Sequence, residues 1–178
     1  MKLKNKKTLL SFGLTALMLW IGNGQAVAED GKTYPASFCT PNRNSSSHSY
    51  SVKAGEWINE KGWALDLECP IIKDSLGKGL RNGFVRVIDQ NSDWRYNVVC
   101  TITSRRTHVH PHQGFTTRVA SKGASSSVQT LHFGSLGHDR KNTTYSMNCR
   151  IPGVTYKPGR TVKNPPSKIL GYYISENT

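Results

Sequence analysis

Residues 145–151, YSMNCRI, decide the fold. Tyr145, Met147, Cys149 and Ile151 recur at every second position, with Ser146, Asn148 and Arg150 between them. A period of two puts the apolar side chains on one face of a strand and the polar ones on the other. The stretch RYNVVCTIT, residues 95–103, repeats the pattern, placing Tyr96, Val98, Cys100 and Ile102 on one face. The two faces match in phase and each carries a cysteine. They are therefore expected to be partners, with Cys100 meeting Cys149.

Working outward, the rest of the chain reads the same way. In ALDLECPI (64–71), Leu65, Leu67 and Cys69 alternate with Asp66 and Glu68. In GFVRVID (83–89), Val85, Val87 and Asp89 oppose Phe84, Arg86 and Ile88. The polar turn DQNSDW follows, so 84–103 is expected to form a β-hairpin with a loop longer than two residues. GFTTRVAS and SVQTLHFGS flank the Gly/Ser turn KGASS in the same manner, and in the second Gln129, Leu131 and Phe133 share a face. SKILGYYISE closes the chain as a strand. Before it, IPGVTYKPGRTVKNPPSK carries four prolines and reads as an irregular connection. No window keeps a helical period. Short strands separated by turn clusters predict an all-β fold, an antiparallel β-sandwich of about eight strands, with a β-barrel as the alternative.

The N-terminus reads as a transport address. Lys2, Lys4, Lys6 and Lys7 precede the apolar run TLLSFGLTALMLWI, and Ala26-Val27-Ala28 is a small-x-small cleavage signal. The run is short for a retained membrane helix. Residues 1–28 are thus expected to be a signal peptide, which leaves a secreted or periplasmic chain with no later integral membrane segment. Residues 29–178 are the right length for a single sandwich domain. Its approach RNSSSHSYS (43–51) is polar and Ser-rich and is expected to be partly disordered. The whole chain has a net charge of +13. Removing the four leader lysines leaves +9, so the mature chain remains basic.

All four cysteines, Cys39, Cys69, Cys100 and Cys149, lie after the leader. An even count in an exported chain predicts two disulfides, and no C-x-x-C spacing favours metal ligation instead. Three pairings are possible. The phase match favours Cys100–Cys149, and with it Cys39–Cys69.

The chemistry-bearing residues are few. RRTHVHPHQGF (105–115) sets His108, His110 and His112 at alternate positions, a ligand type for zinc, copper or nickel. On a strand, however, the outer two stand about 13 Å apart. No carboxylate follows, and Arg105 and Arg106 oppose a cation. FGSLGHD (133–139) holds Ser135, His138 and Asp139, but a catalytic triad converges from distant segments rather than from one turn. No pair of acids stands in a glycosidase-like context. Trp94, in the 89–95 turn, is the candidate for stacking on a sugar ring, while Trp57 and Trp63 are expected in the core. After Asp139 the chain holds Arg140, Lys141, Arg150, Lys157, Arg160, Lys163 and Lys168 before its next acid, Glu176. Such a basic run attracts anionic polymer or surface glycan.

The ordered set Cys69-Pro70, Val85 to Asp89, Cys100, Cys149-Arg150-Ile151-Pro152 and Ile169 to Glu176 resembles a family of small exported bacterial β-sandwich proteins, itself uncharacterised. The resemblance implies an all-β, disulfide-bonded exported domain and brings no catalytic residues and no cofactor. The expected function is that of an exported, non-catalytic binding or structural module whose partner is an anionic polymer or cell-surface glycan. The alternatives are a metal-dependent enzyme centred on His108, His110 and His112, and a secreted inhibitor or effector.

Overall fold

Alternating strands bury one face only when a second layer covers it, and here two sheets cover each other. The computed structural model describes residues 31–42, 45, 50–74, 77–93, 95–106, 115–134, 136, 143–154 and 163–176. The strands among them are β1 (Gly31–Pro35), β2 (Thr40–Pro41), β3 (Tyr50–Lys53), β4 (Glu56–Asn59), β5 (Leu65–Pro70), β6 (Leu80–Ile88), β7 (Val99–Arg106), β8 (Thr116–Ala120), β9 (Gln129–His132), β10 (Thr143–Ile151) and β11 (Lys168–Glu176). One sheet runs β3-β4-β11-β6-β9, with β1 also pairing β11, and the other runs β2-β5-β10-β7-β8. Every pairing is antiparallel. The molecule is an antiparallel β-sandwich. Neither sheet closes on itself, so the barrel alternative falls. Among the described residues no helix is long and apolar enough to cross a membrane.

The inward faces follow the sequence phases. Leu65, Leu67 and Cys69, Cys100 and Ile102, and Tyr145, Met147, Cys149 and Ile151 are buried against Val85, Val87, Ile169 and Tyr172 of the facing sheet. Their polar neighbours, among them Glu68, Asn148 and Arg150, point outward. Tyr172 also crosses the layers, its hydroxyl donating to the Pro70 carbonyl at 2.7 Å. Cys149 lies directly opposite Cys100 in the β7–β10 ladder, and the two are disulfide-bonded with Cα atoms 4.1 Å apart. The second disulfide, Cys39–Cys69, fastens the 3-10 turn after β1 to the end of β5. Both pairings agree with the phase match.

Two expectations are corrected. The 84–103 stretch is not a hairpin, because β6 and β7 belong to opposite sheets and residues 89–98 cross between them. The KGASS turn likewise passes from β8 in one sheet to β9 in the other. Alternation fixes which face a strand buries. It does not fix whether the next strand lies beside it or across the core. The strand number exceeds eight because β1 to β4 also form. Their short, polar sequences give little periodic signal, and they form against neighbours already in place, β1 and β4 on β11, β2 on β5 and β3 on β4.

The crossover from β6 is anchored by Asp89, which is 0% exposed. Its Oδ1 accepts from the Asn91 N–H and the Ser167 hydroxyl, each at 3.0 Å. Its Oδ2 accepts from the Val98 N–H at 3.1 Å and from the Ser121 hydroxyl. The ends of β6 and β8 and the starts of β7 and β11 therefore meet on one carboxylate, directly beneath the loops that form the groove described next.

Candidate binding groove

Three segments converge at this end of the five-stranded sheet: 60–64, 95–98 and 152–154. They are fixed from below by side-chain amides. Asn59, 1% exposed, shares its Nδ2 hydrogens among the carbonyls of Trp63 at 2.8 Å and of Ile151 and Pro152 at 3.1 Å. Its Oδ1 accepts from the Lys61 N–H at 3.2 Å. Asn91 donates to the Gly153 carbonyl at 3.0 Å and accepts from the Asp93 N–H, also at 3.0 Å. Asp93 in turn holds the Arg95 guanidinium in a fork, Oδ2 to Nη2 at 2.6 Å and Oδ1 to Nε at 2.9 Å. Hydrogen bonds from Arg95 hold the Asp93 carboxyl below its ordinary range, which keeps the pair charged. Arg95 lies over the Tyr96 ring, 5.8 Å from its centroid.

The result is a groove of about 580 Å³ whose lining includes Trp63, Arg95, Tyr96, Asn97, Arg118 and Arg150. Trp63 is 57% exposed and Tyr96 is 51% exposed. Aromatic faces held at a wet surface beside polar groups can stack on the apolar face of a ring while their neighbours take its hydroxyls. The groove continues into a shallower one of about 350 Å³ that shares Val99, Arg118 and Arg150 and adds Asn42, Asp66, Thr101 and Asn148. The three arginines differ in availability. Arg95 is engaged by Asp93. Arg150 makes a loose 3.8 Å ion pair with Asp66, both largely exposed, an arrangement worth little in water. Arg118 is exposed and has no ion-pair partner among the described residues.

Gly153 shows how tightly the floor is set. A Cβ there would stand 2.4 Å from the Gly62 carbonyl carbon and oxygen and 2.6 Å from the Trp63 nitrogen. Gly153→Ala must therefore push the Trp63 loop away from its seat. The expected loss is about 1–3 kcal/mol of stability, read from the urea midpoint, together with a shift in tryptophan emission. An unchanged midpoint and spectrum would show the floor to be softer than described.

No family model and no curated protein sequence matches the chain. Among solved structures it is similar to a Podospora anserina GH26-CBM35 β-(1,4)-mannanase, with 11% identity and a TM-score of 0.38 over 84% of this chain and 28% of that one. It is also similar to TmCBM61, solved in complex with β-1,4-galactotriose, with 5% identity and a TM-score of 0.37 over 82% of this chain and 81% of that one. The chain thus spans about a quarter of the mannanase. At these scores neither likeness bears on what the groove holds.

Several residues singled out in the sequence, Trp94, His108, His110, His112, Arg140, Lys141, Lys157 and Arg160, lie outside the described residues, as do Ser135, His138 and Asp139. Of the basic run, Arg150 sits in the groove. Lys168 is on the outer face of the other sheet, paired with Glu56 at 2.8 Å, so these two do not share a face. Lys163 is exposed in the connection before β11. Among the described residues no three His, Cys, Asp or Glu side chains gather to hold a metal.

Trp63 is a correction, since it was expected in the core. It has the phase of Leu65, but the strand starts only at Leu65, and the bend at 61–63 turns the indole outward. Tyr96 departs from the phase of Val98 in the same way. Its N–H bonds back to the Asp93 carbonyl at 2.9 Å and closes a turn before β7 begins. Arg118 went unremarked in the sequence, yet the alternation Thr116, Arg118, Ala120 against Thr117 and Val119 places it on the outward face.

Proposed function

We propose that the mature chain is an exported, non-catalytic module that binds an acidic surface glycan in this groove. The observation that carries the reading is the joint lining of one open groove by two exposed aromatic rings, Trp63 and Tyr96, and by Arg118 and Arg150. The rings offer stacking surfaces and the guanidinium forks match an oxyanion. The net positive charge steers a polyanion toward the molecule. The paired disulfides suit an oxidising compartment.

The test is calorimetry of the mature protein at low ionic strength against heparin, polygalacturonate and neutral dextran. The two acidic polymers should bind, with affinity falling as salt rises, and dextran should bind far more weakly. Arg118→Ala with Arg150→Ala should weaken acidic binding by roughly tenfold or more. Indifference to both acidic polymers, or full binding by the double variant, would remove this reading.

A further inference from the structure

We infer that the ligand is the interior of a linear acidic polysaccharide lying along β7, with Arg118 as its oxyanion anchor. The inference rests on the reading that the groove binds a glycan, and adds the form of the ligand and the residue that selects its charge.

The shape follows from the register. The outward residues of β7 are Val99, Thr101, Thr103 and Arg105, the first three short. On one side β10 sets Arg150 opposite Val99 and Asn148 opposite Thr101. On the other, β8 sets Arg118 opposite Thr101. Short side chains on the middle strand, walled by Arg150 and Asn148 on one side and by Arg118 on the other, make a trough that follows the strand, which is why the two groove segments share Val99, Arg118 and Arg150. At the far end Thr103 lies between the short Ser146 and Thr116, and the exposed Arg105 of the same strand stands beyond it, a second cation in line with the trough. At the near end it meets Trp63 and Tyr96. From Val99 to Thr103 the trough runs about 13 Å, longer than one sugar ring, and a chain can pass along it without presenting an end.

The lining selects the class of chain. Asn42 and Asn148 carry a donor and an acceptor side by side, the pattern that pairs with neighbouring hydroxyls. Arg118 is the one groove arginine with no acid on it among the described residues, and it stands where the two segments join. One available guanidinium among several amides fits a chain rich in hydroxyls with spaced carboxylates or sulfates. Nucleic acid repeats its phosphate at every unit and draws on several basic contacts at once, while Asp66 and Asp93 stand in or beside this trough.

The experiment titrates the mature protein with size-graded oligogalacturonates, heparin oligosaccharides and a single-stranded oligonucleotide. Affinity for one acidic glycan series should rise with length and then level off. A preference for the first series marks the oxyanion as carboxylate, and for the second as sulfate. Thr103→Trp, which fills the trough beyond Thr101, should abolish the gain in affinity with length. Arg118→Gln should weaken binding of the long acidic oligomers by roughly tenfold. Equal affinity for a monosaccharide and the longest oligomer would overturn the extended ligand yet leave glycan binding intact. Tighter binding of the oligonucleotide than of either glycan would overturn the ligand class. Silence from every series would instead remove the proposed function itself.

Discussion

Loss of both disulfides, by Cys39→Ala with Cys69→Ala and Cys100→Ala with Cys149→Ala, is expected to leave the chain unfolded at 25 °C. The cysteines of the first bond are 30 residues apart in sequence and those of the second 49. In the chain-entropy account, closing such loops in the unfolded chain contributes about 3.6 and about 4.1 kcal/mol. The sum is comparable to the whole stability of an ordinary domain, about 5–15 kcal/mol. The two bonds differ in what else they hold. Cys100–Cys149 lies inside a ladder already paired on both sides, so the native β7–β10 register survives its removal. Cys39–Cys69 secures a segment in which β2 is only two residues long, and the buried Trp57 donates its indole N–H to the Cys39 carbonyl at 3.1 Å. Each pair removed alone should therefore leave a folded protein with a melting temperature lower by roughly 10 °C. Losing Cys39–Cys69 should also free β1 and β2 to exchange amide protons early. Near-ultraviolet circular dichroism during thermal melts, with and without reductant, reads the first effect, and hydrogen exchange reads the second. A quadruple variant that melts cooperatively close to the parent would sink the expectation.

The sequence disclosed faces better than neighbours, for a physical reason. Which side of β5, β6 or β10 is buried depends on its own alternation, a local property that Leu65-Leu67-Cys69, Val85-Val87 and Tyr145-Met147-Cys149-Ile151 state openly. Which strand lies beside which depends on loop paths that alternation does not encode, and so 84–103 read as a hairpin when it crosses the sandwich. Where strands begin is equally hidden. Trp63 and Tyr96 fall in phase with buried residues, but each stands just outside its strand, and a bend turns it to solvent. The groove eluded the sequence for a related reason. A basic run along the chain suggested a basic face, yet Arg150 and Lys168 emerge from opposite sheets. The arginines that do meet, Arg95, Arg118 and Arg150, come from three separated segments, the last two joined by the β10-β7-β8 register and the first by the loop that leads into β7.

Asp89 is the residue whose single replacement should cost most. It shares the phase of Val85 and Val87, which face the core, and burying a charge is costly unless hydrogen bonds compensate. The compensation is the set of four donors described above. Asp89→Ala removes the acceptor and leaves the donors buried around a small void. Two have partial substitutes: the Val98 N–H also reaches the Ser121 hydroxyl oxygen at 2.9 Å, and the Ser167 hydroxyl can turn toward other acceptors. The Asn91 N–H and the Ser121 hydroxyl do not gain a new acceptor so easily. With unsatisfied buried donors at about 1–3 kcal/mol each, the expected loss is about 3–5 kcal/mol. Asp89→Asn keeps the volume and one acceptor, and the serine hydroxyls can reverse to accept from its amide. It should therefore lose about half as much. The damage should also reach the groove. Val98 is the last fixed point before β7, and the loop from Asp89 to Val98 carries Arg95 and Tyr96, so Asp89→Asn should weaken glycan binding even where the protein is fully folded. Urea midpoints for the two variants, followed by calorimetry of the asparagine variant well below its melting temperature, separate these effects. If Asp89→Ala melts within about 1 kcal/mol of the parent, the four hydrogen bonds are replaceable and the carboxylate is not the fastening of this end of the sandwich. If instead both variants are destabilised in the expected order and binding by Asp89→Asn is untouched, the carboxylate holds the sheets together without setting the groove, and Asn59 and Asn91 alone carry the loops.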